Sequence, residues 1–502
     1  MIGNTANRLA RFSFKSIDPS ACHASAHPIE HSSTIAFQIA DSESQEQNTV
    51  SVSEIATRHL RRLKQSASDY LGKEVNAAII TVPSDYTDAQ KSALTEAASN
   101  AGIEVLQYIA EPVAALLAYD ARNVEGPPKD KIVVVADLGG TRSDVAVIAS
   151  RGGMYTTLAT AHDYDLGGAQ LDQLLIDYAA KEFMKKNKTD PRENERSLAK
   201  LKLEAEAVKK SLSIGAAASF SIESLADGVD FSLSVNRTRY ELLANKVLAS
   251  FTRLIEGAVQ KADLDVLDVD EIILSGGTSH TPKIARNLQS HFPESTSVMA
   301  PSSNPTAINP SELAARGAAI QASLIAEFDK EDVEQSTHPM VTVTPHLTKA
   351  LGVIVSSTGG GETFVPLVEP ETAVPVRRTA QLAAPAVAGD LLVKLCEGVR
   401  EIKVTKPEPK PKAETNGDKG DDDEDDDDDS EEEEEDIRER IWKTGATLAE
   451  AGLKGVKKGG KIEVQVSVSA DLAVQVVVRE VGGKGGVRGE IEAGQVQENG
   501  SA

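Results

Sequence analysis

A chain of 502 residues that is 40% hydrophobic can build two or three packed domains, yet it contains no apolar run long enough to span a bilayer. Its formal charge of −24 is concentrated: Asp421 to Asp436 holds fifteen acidic residues in sixteen, and removing these fifteen leaves −9 for the rest. Direct nucleic-acid binding and membrane attachment are therefore not expected as the main activity. Two distant cysteines, Cys22 and Cys396, fit a reducing cytoplasm and exclude a disulfide framework.

Met1 to Pro19 carries Arg8, Arg11 and Lys15 with no acid before Asp18, a faint transit-peptide pattern. A non-targeting segment or a truncated start is the preferred reading. Cys22, His23, His27 and His31 are spaced like metal ligands. Pro28 disrupts the helix that would align His27 with His31, and no matching ligand group appears elsewhere, so no metal site is expected there. Ser51-Val-Ser-Glu54 is a capping-box pattern, and Ile55, Leu60 and Leu63 predict a helix running to Tyr70. Ala77 to Val82 predicts a strand ended by Pro83, Asp88 to Asn100 a helix closed by Gly102, and Ile103 to Ile109 a strand. Glu111-Pro112 opens an alanine-rich helix.

Lys131 to Ile148 follows the break at Gly126-Pro127-Pro128. Two apolar runs flank Asp137-Leu-Gly139-Gly140-Thr141-Arg142-Ser-Asp144, which predicts a β-hairpin with a phosphate-holding tip. Glycines there let backbone N–H groups approach phosphate oxygens, and Asp137 at the strand end could orient Mg²⁺ through water. Further glycine turns occur at Gly167-Gly168 and in Ser275-Gly276-Gly277-Thr278, the latter directly after a strand. Together they point to an actin-type nucleotide site. Ser197 to Ser213 predicts a helix with Leu201, Ala205, Val208 and Leu212 on one face. Glu206, Lys209, Lys210 and Ser213 lie near one another on another side, which spacing alone reads as a solvated charged face. A hairpin at Phe220 to Val235 and a helix at Leu313 to Phe328 complete residues 1–330 as one domain. Asn187-Lys188-Thr189 and Asn236-Arg237-Thr238 match glycosylation acceptors but carry little meaning without a secretory signal.

Residues 331–345 read as a linker, and residues 346–404 with 437–480 as a β domain in which Ile462 to Val468 alternates strictly. The intervening 405–436, Pro/Lys-rich and then acidic, predicts a disordered insert by self-repulsion and lack of hydrophobes. Residues 481–502 read as a Gly-rich tail.

Five motifs in order, Ala78-Ile-Ile-Thr-Val-Pro83, Thr87-Asp-Ala-Gln90, Glu111-Pro112-Val-Ala-Ala115, Asp137-Leu-Gly-Gly140 and Ser275-Gly-Gly-Thr278, make the chain resemble the seventy-kilodalton heat-shock chaperones. Asn309-Pro310-Ser-Glu312, Gly317-Ala-Ala319, Val343-Thr-Pro345 and Leu351-Gly352 continue the match. The resemblance implies an actin-like α/β nucleotide-binding domain followed by a small β-sandwich-like domain, with ATP and Mg²⁺ as cofactors. It implies that Asp137, Gly139, Gly140 and Thr141 meet phosphates and metal, and that Glu111 lies near the metal's water shell. Glu206, Lys209, Lys210 and Ser213 match the family's adenosine-contacting helix, which displaces the solvated-face reading. Gly276, Gly277 and Thr278 would back adenine and ribose, with His280 where the family has arginine.

The departures bear on activity. The family's amino-terminal phosphate hairpin and its catalytic lysine have no counterpart that can be placed before or after Ser51, so the first lobe is expected to lack strands and the gene start to be truncated. Arg142 stands where the family has threonine near the γ-phosphate; a cation there can bind phosphate statically yet disturbs placement of attacking water. Ser311 replaces an acid, the acidic-leucine linker is altered at Gln335 to Val343, and the tail is too short for a helical lid. These features are similar to the ribosome-associated branch of the family in fungi. That likeness implies a cytoplasmic co-chaperone subunit paired with a zuotin-like J-domain protein on the ribosome, aiding an orthodox heat-shock chaperone and, indirectly, nascent chains, with little ATP hydrolysis. The alternatives are an active client-binding chaperone ATPase and, less in keeping with the β region, an actin-fold sugar kinase.

Overall fold

The computed structural model describes residues 26–31, 34–40, 47–122, 129–329, 331, 345–356, 362–383, 389–405, 437–457, 459–482 and 486–491. The chain divides into two units, Met1–Thr342 and Val343–Ala502.

The first unit opens with an antiparallel sheet of β1 (Ala26–His31), β2 (Thr34–Ala40) and β3 (Gln47–Ser51). Three strands thus fall within residues 26–51, where the sequence alone places no strand. Thr34-Ile-Ala-Phe-Gln-Ile-Ala40 alternates over only seven residues, a period too short to stand out, and pairing on both sides supplies the missing support. Pro28 sits in an edge strand, where its missing N–H costs little, rather than in a broken helix. Cys22 and His23 lie outside the described residues.

Helix α1 (Val52–Leu71) is capped by Ser51, whose hydroxyl accepts from the Glu54 N–H, and Gly72 ends it at φ +65°. The expected apolar face is shallower than its sequence suggests. Leu60 packs on Ala98, Ala101 and Ile103, while Leu63 remains 53% exposed and Thr57 is the buried position. Strands β4 (Ala77–Val82) and β5 (Glu104–Ala110) pair in parallel around α2 (Asp88–Asn100), which begins with a reciprocal Thr87–Gln90 capping box. Helix α3 (Glu111–Asp120) follows β5 without a loop, with Pro112 in its first turn.

The central sheet has the order β12-β11-β6-β7-β8, formed by β6 (Lys131–Leu138), β7 (Ser143–Arg151), β8 (Met154–Asp163), β11 (Glu271–Ser275) and β12 (Ser297–Met299). β6 runs antiparallel to β7 and parallel to β11. Ile132, Val134, Ala136 and Leu138 face a core built with α4 (Gly168–Asn187), α5 (Glu195–Ile214), α6 (Arg237–Lys261), α7 (Pro282–His291) and the hairpin β9 (Ala217–Ala226)–β10 (Val229–Asn236). Val133 and Val135 face the other way, against Ala115, Leu116 and Tyr119 of α3 and Leu313 of α8 (Leu313–Ile325). A strand covered on both faces has to be apolar throughout, which is why β6 reads as a continuous run.

In the second unit the described residues form strands and turns. β13 (Ala350–Ser356), β14 (Glu362–Val368), β16 (Gly389–Thr405) and β17 (Ile437–Val456) make one sheet. The other contains β15 (Val376–Ala383), β18 (Lys461–Val468), β19 (Val474–Glu480) and β20 (Gly486–Ile491). Both contribute to one core: Val353, Val393 and Leu395 from the first meet Ile462, Val464, Val466, Val468, Val476 and Val478 from the second. The alternation of β18 is borne out, its four apolar residues being at most 3% exposed. The Gly-rich tail needs correction, because Gly486–Ile491 adds an edge strand to β19. Glycines masked its pattern. Gly486 lies so close to Arg479 and the Val478 carbonyl that a Cβ would meet both at 3.1 Å. Cys396 is buried and unbonded to another cysteine. Nearly all of 331–345, and all of 406–436, lie outside the described residues, as does the acidic run itself.

Candidate functional site

Asp137 is the penultimate residue of β6, and its parallel neighbour Ser275 ends β11 in register with it. Ligands of open α/β sheets bind beyond the carboxyl ends of parallel strands, because there the chain turns away and leaves backbone groups unpaired. Three glycine turns converge at that end. The β6–β7 hairpin closes through the Gly139 N–H donating to the Arg142 carbonyl at 2.9 Å. The start of α4 is tied to its tip: Gly168 N–H donates to Gly139 O at 3.0 Å, and Ala169 N–H to Gly140 O at 2.7 Å. The Thr278 hydroxyl donates to the same Gly139 carbonyl at 2.9 Å. Gly276, at φ +83°, lies against Asp137 and the Leu138 carbonyl, and its N–H donates to Pro310 O at 3.0 Å. Gly140 and Gly277 remain exposed.

The structure therefore brings together Asp137, Gly139, Gly140, Thr141, Gly276, Gly277 and Thr278. Lys209 joins them from α5: its ammonium donates to Gly168 O at 3.0 Å and pairs with Asp172 at 2.8 Å. Burial raises the Asp172 carboxyl pKa, and the Lys209 charge partly offsets this. Lys210 instead points outward and pairs with Glu206 at 2.8 Å, an ion pair that holds the Glu206 carboxyl below its ordinary value. Ser213 donates to the Lys209 carbonyl at 3.2 Å. His280 lies on the short turn Gly277–His280, its Nε2 3.4 Å from the Ser311 hydroxyl. Glu111 is half-buried in the first turn of α3, just beyond the carboxyl end of β5.

Arg142 departs from a simple anion ligand. Its Nη2 pairs with Asp85, 3.3 Å away in the turn after β4, and with Asp144, while the guanidinium stacks 5.1 Å from the centroid of Tyr164. Asp144 stands directly across the hairpin from Asp137, so the arginine also offsets a like-charge cross-strand pair. Sequence reading missed Asp85, Tyr164 and Asp172, since single polar residues far apart in the chain carry no spacing signal. Gly167-Gly168 was the available pointer to this neighbourhood.

Burial pushes the Asp137 carboxyl up to about 6. Desolvation penalises its charged form, and a hard divalent cation would favour that form again, so the site's chemistry fits Mg²⁺ held by an oxygen ligand. The linkage follows directly. The native state keeps this proton longer than the unfolded chain, so stability falls as pH rises from about 4 towards 6, and the penalty is complete at pH 7. Asp137→Asn should therefore stabilise the nucleotide-free protein by on the order of 2 kcal/mol at pH 7 and hardly at all at pH 4. Thermal melts at the two pH values check this; a gain independent of pH would point to a different cause.

Parallel strands ending in glycine turns around a desolvated aspartate are the arrangement of an actin-type α/β fold. The Hsp70 protein family matches residues 11–390 of the chain. The ribosome-associated complex subunit SSZ1 of Saccharomyces cerevisiae is 41% identical over 95% of this chain and 86% of its own length. A heat shock protein 70 homolog of Schizosaccharomyces pombe is 43% identical over 93% of this chain and 81% of its own. A heat shock 70 kDa protein of Emericella nidulans is 34% identical over 65% of this chain and 48% of its own length. The chain belongs to the Hsp70 family, and its first unit contains that family's nucleotide-binding domain.

Proposed function

We propose that this protein is the Hsp70-type subunit of a ribosome-associated chaperone pair, acting with a J-domain protein in the cytoplasm. The observation that carries this reading is the extent of the similarity to SSZ1, 95% of this chain and 86% of the relative, which takes in both units. No helix among the described residues is long and apolar enough to cross a membrane.

On this reading ATP and Mg²⁺ occupy the site at the ends of β6 and β11, Asp137 holding the hydrated metal. Gly139, Gly140 and Thr141 would take phosphates, Lys209 and Ser213 would support the adenosine side, and Gly276, Gly277, Thr278 and His280 would back the base and ribose. When bound, the nucleotide would supply phosphate charge for the backbone N–H groups of the glycine turns to neutralise. Hydrolysis would be weak, because Arg142 is engaged by two carboxylates where the family places a threonine. The second unit would serve a protein partner through its β domain.

The test is co-purification of the tagged full chain from its source, followed by sucrose-gradient sedimentation. Stoichiometric recovery of a J-domain protein and comigration with ribosomes, both preserved in Asp137→Asn, is the expected result. A free chain that turns over ATP and binds unfolded clients in a nucleotide-dependent way would favour the active chaperone ATPase.

A further inference from the structure

Four side chains, those of Arg142, Asp85, Asp144 and Tyr164, connect three segments that are distant in sequence. Asp85 belongs to the turn between β4 and α2, a turn held by the Tyr86 N–H donating to Pro83 O at 3.1 Å and by the Thr87–Gln90 capping box. Arg142 and Asp144 belong to the β6–β7 hairpin. Tyr164 lies in the connection from β8 to α4; its ring stacks on Arg142 and its hydroxyl donates to Asp85 at 2.6 Å. The side chains of Arg142, Asp85 and Asp144 are only 20%, 24% and 19% exposed, so these ion pairs are largely sheltered from water. Sheltered pairs hold geometry far better than surface ones, because removing one partner leaves a charge without compensation.

We infer that Arg142 is a positioning residue, a built-in brace that fastens the β4–α2 turn to the nucleotide hairpin. It fixes the separation of the two-stranded β4–β5 sheet and the central sheet whether or not a nucleotide is present. The planar guanidinium suits this role: one face covers the Tyr164 ring while its edge meets carboxylates from the β4–α2 turn and from β7. Threonine, with a single short hydroxyl, could not span from the hairpin to Asp85. The brace goes beyond the ribosome-associated reading and does not depend on it. Such a brace holds one standing arrangement of the turn and the hairpin.

Hydrogen exchange on the full chain tests it, measured without nucleotide, with ADP and with ATP plus Mg²⁺. In the wild type, the amides of 83–88 and 139–144 should exchange at rates that agree within about twofold across the three states. In Arg142→Thr the same amides should exchange about tenfold faster without nucleotide and slow again when it is added. Tyr164→Phe removes only the hydroxyl on Asp85; it should give a smaller acceleration, confined to 83–88, and it serves if Arg142→Thr does not fold. Arg142→Lys, which keeps the charge and loses the fork, should be intermediate. Wild-type protection that appears only with nucleotide would overturn the brace, as would unchanged rates in Tyr164→Phe and Arg142→Lys together. Loss of ribosome association in any variant leaves these rates as the deciding measurement.

Discussion

Gly317→Ala is expected to destabilise the first unit by about 3 kcal/mol, seen as a melting temperature lowered by several degrees. Gly317 lies on α8 where it crosses α3, and a Cβ there would meet the Ala114 carbonyl oxygen at 1.8 Å and its carbon at 2.4 Å. Both obstacles are backbone, so no side chain can swing aside, and the two helices would have to separate. The same pair of helices covers Val133 and Val135 of β6, so their separation would loosen the sheet that carries Asp137. Gly257 provides the control. It lies inside α6, where an added methyl would find nothing within 4 Å, and Gly257→Ala should stabilise by about 0.5–1 kcal/mol through reduced freedom of the unfolded chain. Opposite signs from one chemical change would separate helix propensity from helix crossing.

Gly276→Ala should have the second large effect, and at the site itself. The residue has φ +83°, a conformation that costs an L side chain about 1 kcal/mol, and its Cβ would fall 2.4 Å from Leu138 O and 2.5 Å from Asp137 Oδ1. The strain and the displaced hairpin together should cost about 2–4 kcal/mol of stability. Because Asp137 would have to move, nucleotide affinity should drop at least tenfold, corresponding to about 1.4 kcal/mol of binding energy. Calorimetric titration with ATP and Mg²⁺ reads the binding effect, and a thermal melt the stability effect. Wild-type affinity in a folded Gly276→Ala would mean that Gly276 only shapes the turn and that Asp137 does not contact the metal.

Local elements with strong periods or strong punctuation were legible in the residues themselves. Ala77–Val82 and Asp88–Asn100 have the bounds their residues predict, because Pro83, the Thr87–Gln90 box and Gly102 mark the ends chemically. β6 and β18 were equally legible, one apolar throughout because both of its faces are covered, the other alternating because one face is. The glycine turns were legible too, and at Gly139 and Gly276 the close approach of neighbouring backbone leaves no room for a Cβ. Where polar side chains would find partners emerged only on folding. Spacing placed Lys209 and Lys210 together on α5, yet one turns inward to Asp172 and Gly168 while its neighbour stays with Glu206 at the surface. Arg142 looked like a cation offered to phosphate until folding brought Asp85, 57 residues away, within ion-pair distance. Strands β1–β3 and β20 likewise depended on pairing, because short or glycine-bearing strands gain their stability from neighbours. Local steric preferences are encoded every few residues, whereas the partner of a charge is set by which surfaces the hydrophobic core presses together.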